Sequence, residues 1–215
     1  MSAHKDNSEP RRPGRPRGGK RATTSREQLL DIALDLFSRQ GIATTSLNAI
    51  AKEAGVTPAM LHYYFNSREQ LLDAMIEERF LPLRSTIAAT FSAHPDDPVA
   101  SLTLMVQTLA SLAGQHHWFA PLWMQEVIGE MPVLRAHLRN RVGEDNYSVT
   151  LATLKRWQQE GKLNRELAPE LLFTTLLSLV LVPFARRRND ERLSALSSAQ
   201  IVGHALAVMG QGIGA

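Results

Sequence analysis

The residues best suited to chemistry lie in one short stretch, between Ser46 and Phe65. Hydroxyl groups, a histidine ring and tyrosine rings recur there, beside small apolar side chains. The stretch reads as two short helices joined by a tight turn, and the outward side of the second could enter the major groove of DNA. The stretch therefore predicts contact with double-stranded DNA.

Other chemistry has little support in the sequence. No phosphate-binding loop, nucleophile elbow or pair of catalytic carboxylates can be found. The chain has no cysteine, which excludes a thiol nucleophile, a thiolate zinc site and a disulfide framework. His116 and His117 are neighbours that point about 100° apart on a helix and have no third ligand nearby. We expect no catalytic residues, no cofactor and no metal.

Positive charge is concentrated at the start of the chain. Residues 1–26 hold eight basic and two acidic side chains, whereas the whole chain has a net charge of only +3. Such an arm suits a polyanion bound at one end of the protein, although a solvated tail would have the same composition. Residues 13–18 (PGRPRG) resemble an AT-hook core, in which Arg15 and Arg17 would enter a narrow minor groove.

Helical periodicity continues from Ser25 almost to the end of the chain, and no strand pattern is found. We therefore expect an all-α fold of about nine helices. They are expected near residues 25–40, 47–54, 58–65, 67–80, 98–112, 118–128, 132–159, 169–188 and 197–209. Pro82 is expected to kink or end the fourth helix, because proline lacks the N–H that a helix interior uses.

The second and third helices form a helix-turn-helix. Ser46 and Thr57 are placed as their N-caps, and Gly55 supplies a turn residue that tolerates positive φ. Ile50, Leu61 and Phe65 are expected to face inward. A helix of this kind fits the major groove, about 12 Å wide, while its partner crosses the backbone.

Residues 25–75 resemble the N-terminal domain of TetR-family transcriptional regulators. The resemblance rests on TTSLNAIA (44–51), AGVT (54–57), LHYYF (61–65) and SREQLL (67–72), after the helix ALDLF (33–37). It implies DNA contacts from phosphate-binding and base-facing positions: Thr45, Ser46, Thr57, Pro58, Ala59, Met60, His62, Tyr63, Tyr64 and Arg68.

His62 departs from the family pattern, in which tyrosine is more common at this position. A phosphate contact there would weaken as pH rises through the titration range of histidine. A neutral surface histidine is an equally good interpretation. Phe65 is expected in the core, and Tyr63 is expected to contact DNA.

The rest of the chain is expected to dimerise and to bind a small molecule. The resemblance favours a two-fold dimer built from the last two long helices, through Leu172, Leu176, Leu179, Val180, Ile201 and Leu206. Large, soft side chains close in sequence suggest a ligand pocket, although each of them also suits an ordinary core: Met105, Leu109, Trp118, Phe119, Trp123, Met124 and Val127. We divide the chain into a flexible basic arm (1–22), a helix-turn-helix domain (23–70) and a helical regulatory and dimerisation domain (71–215).

The leading hypothesis is a cytoplasmic repressor, at operator sites on the bacterial nucleoid, that a small apolar or amphipathic ligand releases. Its partners would be a second copy of the chain and a palindromic operator with A·T-rich flanks. One alternative is a less specific architectural DNA-binding protein led by the arm. The alternative from another class is a helical enzyme with a basic tail.

Overall fold

The computed structural model describes residues 24–128, 133–142 and 145–210, and within these residues it is all-helical, with no strand. The all-α prediction is confirmed. The helices are α1 (Arg26–Gln40), α2 (Leu47–Glu53), α3 (Pro58–Tyr64), α4 (Arg68–Met75), α5 (Leu81–Ala93), α6 (Pro98–Gln115), α7 (Phe119–Ile128), α8 (Val133–Val142), α9 (Asp145–Gln159), α10 (Pro169–Arg186), α11 (Glu191–Ser194) and α12 (Ser198–Gly210).

Side-chain caps define the first helices, as the sequence predicts. The Ser25 hydroxyl accepts a hydrogen bond from the Gln28 backbone N–H at 3.2 Å, and the Ser25 N–H donates to Gln28 Oε1 at 2.9 Å. This reciprocal pair is a capping box. Ser46 and Thr57 accept from backbone N–H groups in the same way at the starts of α2 and α3. The helix ends near the DNA-contact candidates are thus set by local chemistry.

Of the two outcomes expected at Pro82, a kink or an end of the fourth helix, the structure excludes the end. A π-helical turn, Ile76–Phe80, joins α4 to α5, and the helix continues to Ala93. The Leu81 N–H donates to the Ile76 carbonyl five residues back. The Glu78 carbonyl, which the missing N–H of Pro82 cannot serve, accepts from Arg79 Nη1 at 3.3 Å. The wider turn accommodates the proline. The expected domain boundary after residue 70 falls inside α4.

The structure has more helices than the nine expected. Two described helices, α8 and α9, lie in the segment expected as one helix from 132 to 159, and residues 143–144 between them lie outside the described residues. The short α11 was missed. It is four residues long, capped by the Asp190 carboxylate, and buries no side chain, so it carries no hydrophobic period.

The central helix of the body is α10, which packs against α6, α7 and α12. Leu172, Leu176 and Val180 are among its buried residues. Within the part of the chain that the structure describes, α10 is also the one helix long and apolar enough to cross a membrane, with a mean hydropathy of 1.4. That criterion uses length and composition only, and the packing of one face on three neighbouring helices is that of a core helix.

Candidate nucleic-acid interface

The helix-turn-helix is held by a small apolar core. Ile50, Ala51, Leu61 and Phe65 are at most 1% exposed. Gly55 has φ +65° at the turn between α2 and α3, a conformation that costs a residue with a Cβ about 1–2 kcal/mol. These residues confirm the inward face that the sequence predicts and leave the opposite side of α3 to solvent.

The outward side of α3 carries a compact set of exposed residues. Thr57, Pro58, Ala59 and His62 are exposed, and Met60 is half-buried. Tyr63 is 81% exposed, the highest value among the large hydrophobic side chains. Its ring meets the edge of the Tyr64 ring at 5.3 Å between centroids, while Tyr64 packs partly against the core. The helix contains no acidic residue, so nothing on α3 itself repels a phosphate.

His62 has a local partner that determines which of its ring nitrogens carries the proton. Its Nδ1 lies 3.2 Å from the Asn66 carbonyl oxygen. Because a carbonyl only accepts, Nδ1 carries the proton there, and Nε2 of the neutral ring is then an acceptor. Only the doubly protonated ring can also donate from Nε2 to a phosphate.

One predicted contact, Thr45, needs correction, and a second, Arg68, has hydrogen-bond partners within the chain. Thr45 is 1% exposed, and its hydroxyl donates to the Gly41 carbonyl at 2.7 Å, so its side chain faces the interior. The Arg68 guanidinium donates to the carbonyls of Ile42 and Thr45. Both side chains fix the loop before α2.

The exposed side of α2 adds two groups that sequence reasoning missed, Asn48 and Lys52, to the predicted Ser46. Ser46, Asn48 and Lys52 are exposed there, and Asn48 and Lys52 are four residues apart, one above the other on the helix. The period of α2 was the available signal, since Ile50 and Ala51 mark the buried side. The neighbouring Glu53 accepts from Arg39 at 2.6 Å, which neutralises the one acid on α2.

Ion pairs fix α1 to the π-helical turn. Arg26 donates two hydrogen bonds to Glu78, at 2.8 and 2.6 Å, and these hydrogen bonds lower the pKa of the Glu78 carboxyl. Arg79 pairs with Asp31 at 2.9 Å. Both pairs tie the first helix to the start of the body.

Further polar contacts join the first four helices to the body. His117, in the turn between α6 and α7, lies 2.9 Å from Asp35 on α1. His137 on α8 lies 3.2 Å from Asp73 on α4. On α7, Gln125 donates to the Ser38 carbonyl at 2.8 Å, while its Oε1 is buried without a hydrogen-bond partner.

The residues expected to line a ligand pocket form packed core instead. Met105, Leu109, Trp118 and Phe119 are buried, and Trp123 and Met124 are half-buried. Aromatic rings contact one another along this segment: Phe80 and Trp118 are tilted, with centroids 5.2 Å apart, and Trp118 and Phe119 meet edge to face, with centroids 6.1 Å apart. The Val127 side chain lies outside the described residues. None of the other six lines the surface depression beside Lys155 or the one beside Phe184.

The expected dimer contacts are also corrected in part. Leu172, Leu176, Val180 and Ile201 are buried inside the single chain, and Leu179 and Leu206 are half-buried. The apolar period identified the buried face of each helix. The exposed faces of α10 and α12 carry other residues, including Leu171 at 65% and Val208 at 51% exposure. Arg15 and Arg17 of the arm lie outside the described residues.

Comparison with known proteins agrees with this geometry. Residues 29–75 match the family model of bacterial regulatory proteins of the tetR family. The HTH-type transcriptional regulator AcrR of Shigella flexneri is 32% identical over 126 residues, which are 55% of this chain and 58% of AcrR. The chain thus spans little more than half of that relative. The HTH-type transcriptional repressor KstR2 of Rhodococcus jostii is 24% identical over 70% of this chain and 74% of its own length.

Solved structures extend the likeness to the body. The ketosteroid transcriptional regulator KstR2 of Mycobacterium tuberculosis superposes with a TM-score of 0.62, at 20% identity, over 88% of this chain and 95% of that one. At this identity the likeness concerns the fold alone. Residues 29–75 therefore match the DNA-binding domain of the tetR family of bacterial regulatory proteins, and the chain as a whole shares its fold with this solved structure.

Proposed function

We propose that the chain is a transcriptional regulator that binds double-stranded DNA through α3. The observation that carries the proposal is the outward side of α3, which combines an exposed tyrosine, histidine and threonine with small apolar residues and no acid. This side is narrow enough for the major groove. The relatives named above are described as regulators and a repressor, which supports regulation of transcription over catalysis.

Each exposed side chain has a role that its chemistry suits. Pro58, Ala59 and Met60, at the start of α3, face the base edges and contact thymine methyls. Thr57, Tyr63 and protonated His62 donate to phosphates on one side of the groove. Tyr64, which is half-buried, supports the Tyr63 ring and reaches the backbone only at its edge.

The helix α2 and the loop before it also provide contacts with the DNA backbone. Ser46 and Lys52 of α2 approach the phosphates that flank the groove, since the partner helix of this motif crosses the backbone. Thr45 and Arg68 act indirectly, because their hydrogen bonds to backbone carbonyls fix the loop that aims α2.

The protein acts as a homodimer through the exposed faces of α10 and α12. On α10, Leu171, Thr174, Thr175 and Ser178 follow helical spacing and are exposed, although this is among the most apolar helices of the chain. On α12, Ala207 and Val208 are exposed beside Gly203. Such a face is suited to its own copy, and a two-fold pair would place two α3 helices about one DNA turn apart, near 34–36 Å, or somewhat more.

Arg15 and Arg17 add minor-groove contacts beside the major-groove site. Their composition and their position just before a helix-turn-helix support this role. Deletion of residues 1–21 should then weaken DNA binding and reduce its dependence on salt. An unchanged salt slope and affinity would show that the arm is a solvated tail.

The regulator represses transcription in the cytoplasm until a small apolar or amphipathic effector releases it from its operator. An effector acts only through different affinities for the DNA-bound and DNA-free shapes. The several polar contacts between the helix-turn-helix and the body provide a connection that can differ between those shapes.

Selection of bound DNA from a random pool tests the proposal. The expected product is a palindrome with A·T-rich flanks, bound far more tightly than random duplex of the same length at each salt concentration. Equal affinity for selected and random duplex would favour the architectural alternative. Failure to retain any DNA at low salt would refute DNA binding itself.

A further inference from the structure

A surface depression of about 200 Å³ lies where three helix ends meet, well away from α3 in the sequence. Gly114 lines it from the end of α6, Ala120 from the first turn of α7, and Phe184 and Arg188 from the end of α10. No acidic side chain is among its lining residues. It is smaller than the roughly 300–1,000 Å³ of sites for drug-sized ligands, so it suits a small molecule.

Three basic side chains line this depression: His117, Arg187 and Arg188. Arg187 is held in place, since it donates to the Leu196 carbonyl at 2.8 Å and lies 5.5 Å from the centre of the Phe184 ring. A guanidinium group has five N–H donors, so most of those on Arg187 are left for a ligand. The positive charge is therefore both fixed and accessible.

A carboxylate, Asp35 of α1, approaches two of these basic side chains from the helix-turn-helix. Its Oδ1 lies 2.9 Å from His117 Nε2 and 3.8 Å from Arg188 Nη2. Its other oxygen pairs with Arg39 at 2.9 Å. The charge of the two arginines that line the depression, Arg187 and Arg188, is thus set against one carboxylate that Arg39 also shares, which leaves the depression positively charged.

The rest of the lining favours an anion with an apolar body. Ala120 is the second residue of α7, where backbone N–H groups have no partner within the helix and the helix dipole is positive. The Phe184 ring supplies an apolar surface and is only 9% exposed. The positive groups and the apolar surface share one space.

We propose that this depression binds a small organic carboxylate. The carboxylate accepts hydrogen bonds from Arg188 and His117 in competition with Asp35, and the apolar body covers Phe184. Binding thereby loosens the contact between the body and α1. The consequence for DNA affinity rests on the proposed function, whereas the site itself does not.

Titration of the full-length protein with benzoate, followed by NMR without DNA, tests the site. We expect saturable binding with a Kd on the order of a millimolar, as suits a ligand of this size. Acetate lacks the apolar body and should bind several-fold more weakly. Benzamide has the same shape without the charge and should not bind. Equal binding of benzoate and benzamide would overturn the proposal.

Two matched variants locate the site. Arg188→Gln should weaken benzoate binding roughly tenfold, since it removes a charged hydrogen-bond donor. Arg165→Gln removes the same charge from an exposed residue that lines a different depression, and should change the affinity less than twofold. Equal reductions in both variants would mean that benzoate follows net charge, which would refute the site.

Two further variants test the site at other residues, so that misfolding of one variant does not decide the result. Gly114→Leu should abolish saturable binding while the protein stays folded, because a Cβ there meets only Ser198 Oγ, at 4.0 Å. Asp35→Asn removes the competing carboxylate and should tighten benzoate binding several-fold. Weaker binding in Asp35→Asn would refute the competition. None of these measurements involves DNA. The proposed carboxylate site and the proposed DNA binding can therefore be refuted independently of each other.

Discussion

Removal of one hydroxyl group from α3 tests the proposed DNA interface most directly. Tyr63→Phe keeps the ring and its edge contact with Tyr64, and removes only the phenolic O–H. Tyr63 is 81% exposed, so the change should alter the free energy of unfolding by less than about 0.5 kcal/mol. Any weakening of DNA binding would then come from the interface and not from the fold.

The size of the effect follows from the chemistry of the contact. A hydrogen bond to a charged group contributes about 1.5–3 kcal/mol, and we take the lower end because water can replace the donor at an open phosphate. A dimer forgoes two such bonds, about 3 kcal/mol in all, which corresponds to roughly a hundredfold in Kd. The slope of log Kd against log salt should not change, because a neutral hydroxyl displaces no counterion.

Fluorescence anisotropy with a labelled selected duplex, at several salt concentrations, measures both quantities. Lys52→Gln is the matched comparison, since the Lys52 side chain is exposed like that of Tyr63 but carries a charge. It should reduce the slope by about 0.9 for each phosphate that the variant no longer neutralises. Thermal melting of each variant controls for folding.

An unchanged Kd for Tyr63→Phe, at an unchanged melting temperature, would refute the assignment of Tyr63 to a phosphate. A hundredfold weaker Kd with a reduced salt slope would also contradict it, because a charge elsewhere would then have been displaced.

Three further predictions concern the fold and its assembly. Gly55→Ala should lower the free energy of unfolding by about 1–2 kcal/mol, because φ is +65° there; Gly114→Ala, in a helix, should be neutral or stabilising in the same thermal melts. Glu78→Gln should destabilise by up to about 1 kcal/mol at pH 7. Because the Glu78 pKa is lowered in the fold, the stability difference between the two proteins is present at pH above the ordinary value of 4.5 and should vanish as pH falls through the lowered pKa. Identical urea unfolding curves at pH 7 would contradict this prediction. Leu171→Asp should weaken the dimer at least tenfold in sedimentation, whereas Val99→Asp, also an exposed apolar position, should leave it intact.

The helix-turn-helix could be predicted because its signals are local. Ser46, Thr57 and Gly55 each act within one turn of their own helix, by capping or by adopting positive φ. The inward face follows from the helical period alone. Chain geometry therefore placed the outward side of α3 without any knowledge of tertiary contacts.

Predictions that depended on distant contacts were less successful. Thr45 and Arg68 belong to the family pattern, but their partners are carbonyls in the loop before α2, up to 26 residues away. The continuation of α4 through Pro82 depends on a π-helical turn that no propensity signals. The apolar residues of α10 identified a buried face, and the sequence does not say whether one chain or two bury it.

The contacts between the helix-turn-helix and the body also set the coupling free energy that an effector has to supply. The pairs of Asp35 with His117 and of Asp73 with His137 are partly exposed, so each contributes no more than about 0.2–1 kcal/mol. Coupling between effector and DNA sites in proteins is typically about 1–3 kcal/mol. Breaking these two pairs in each subunit of a dimer would supply a coupling of this size, without any change in the apolar core. A ligand that engages His117 in place of Asp35 thus needs only a modest preference for the released shape to shift DNA affinity by an order of magnitude.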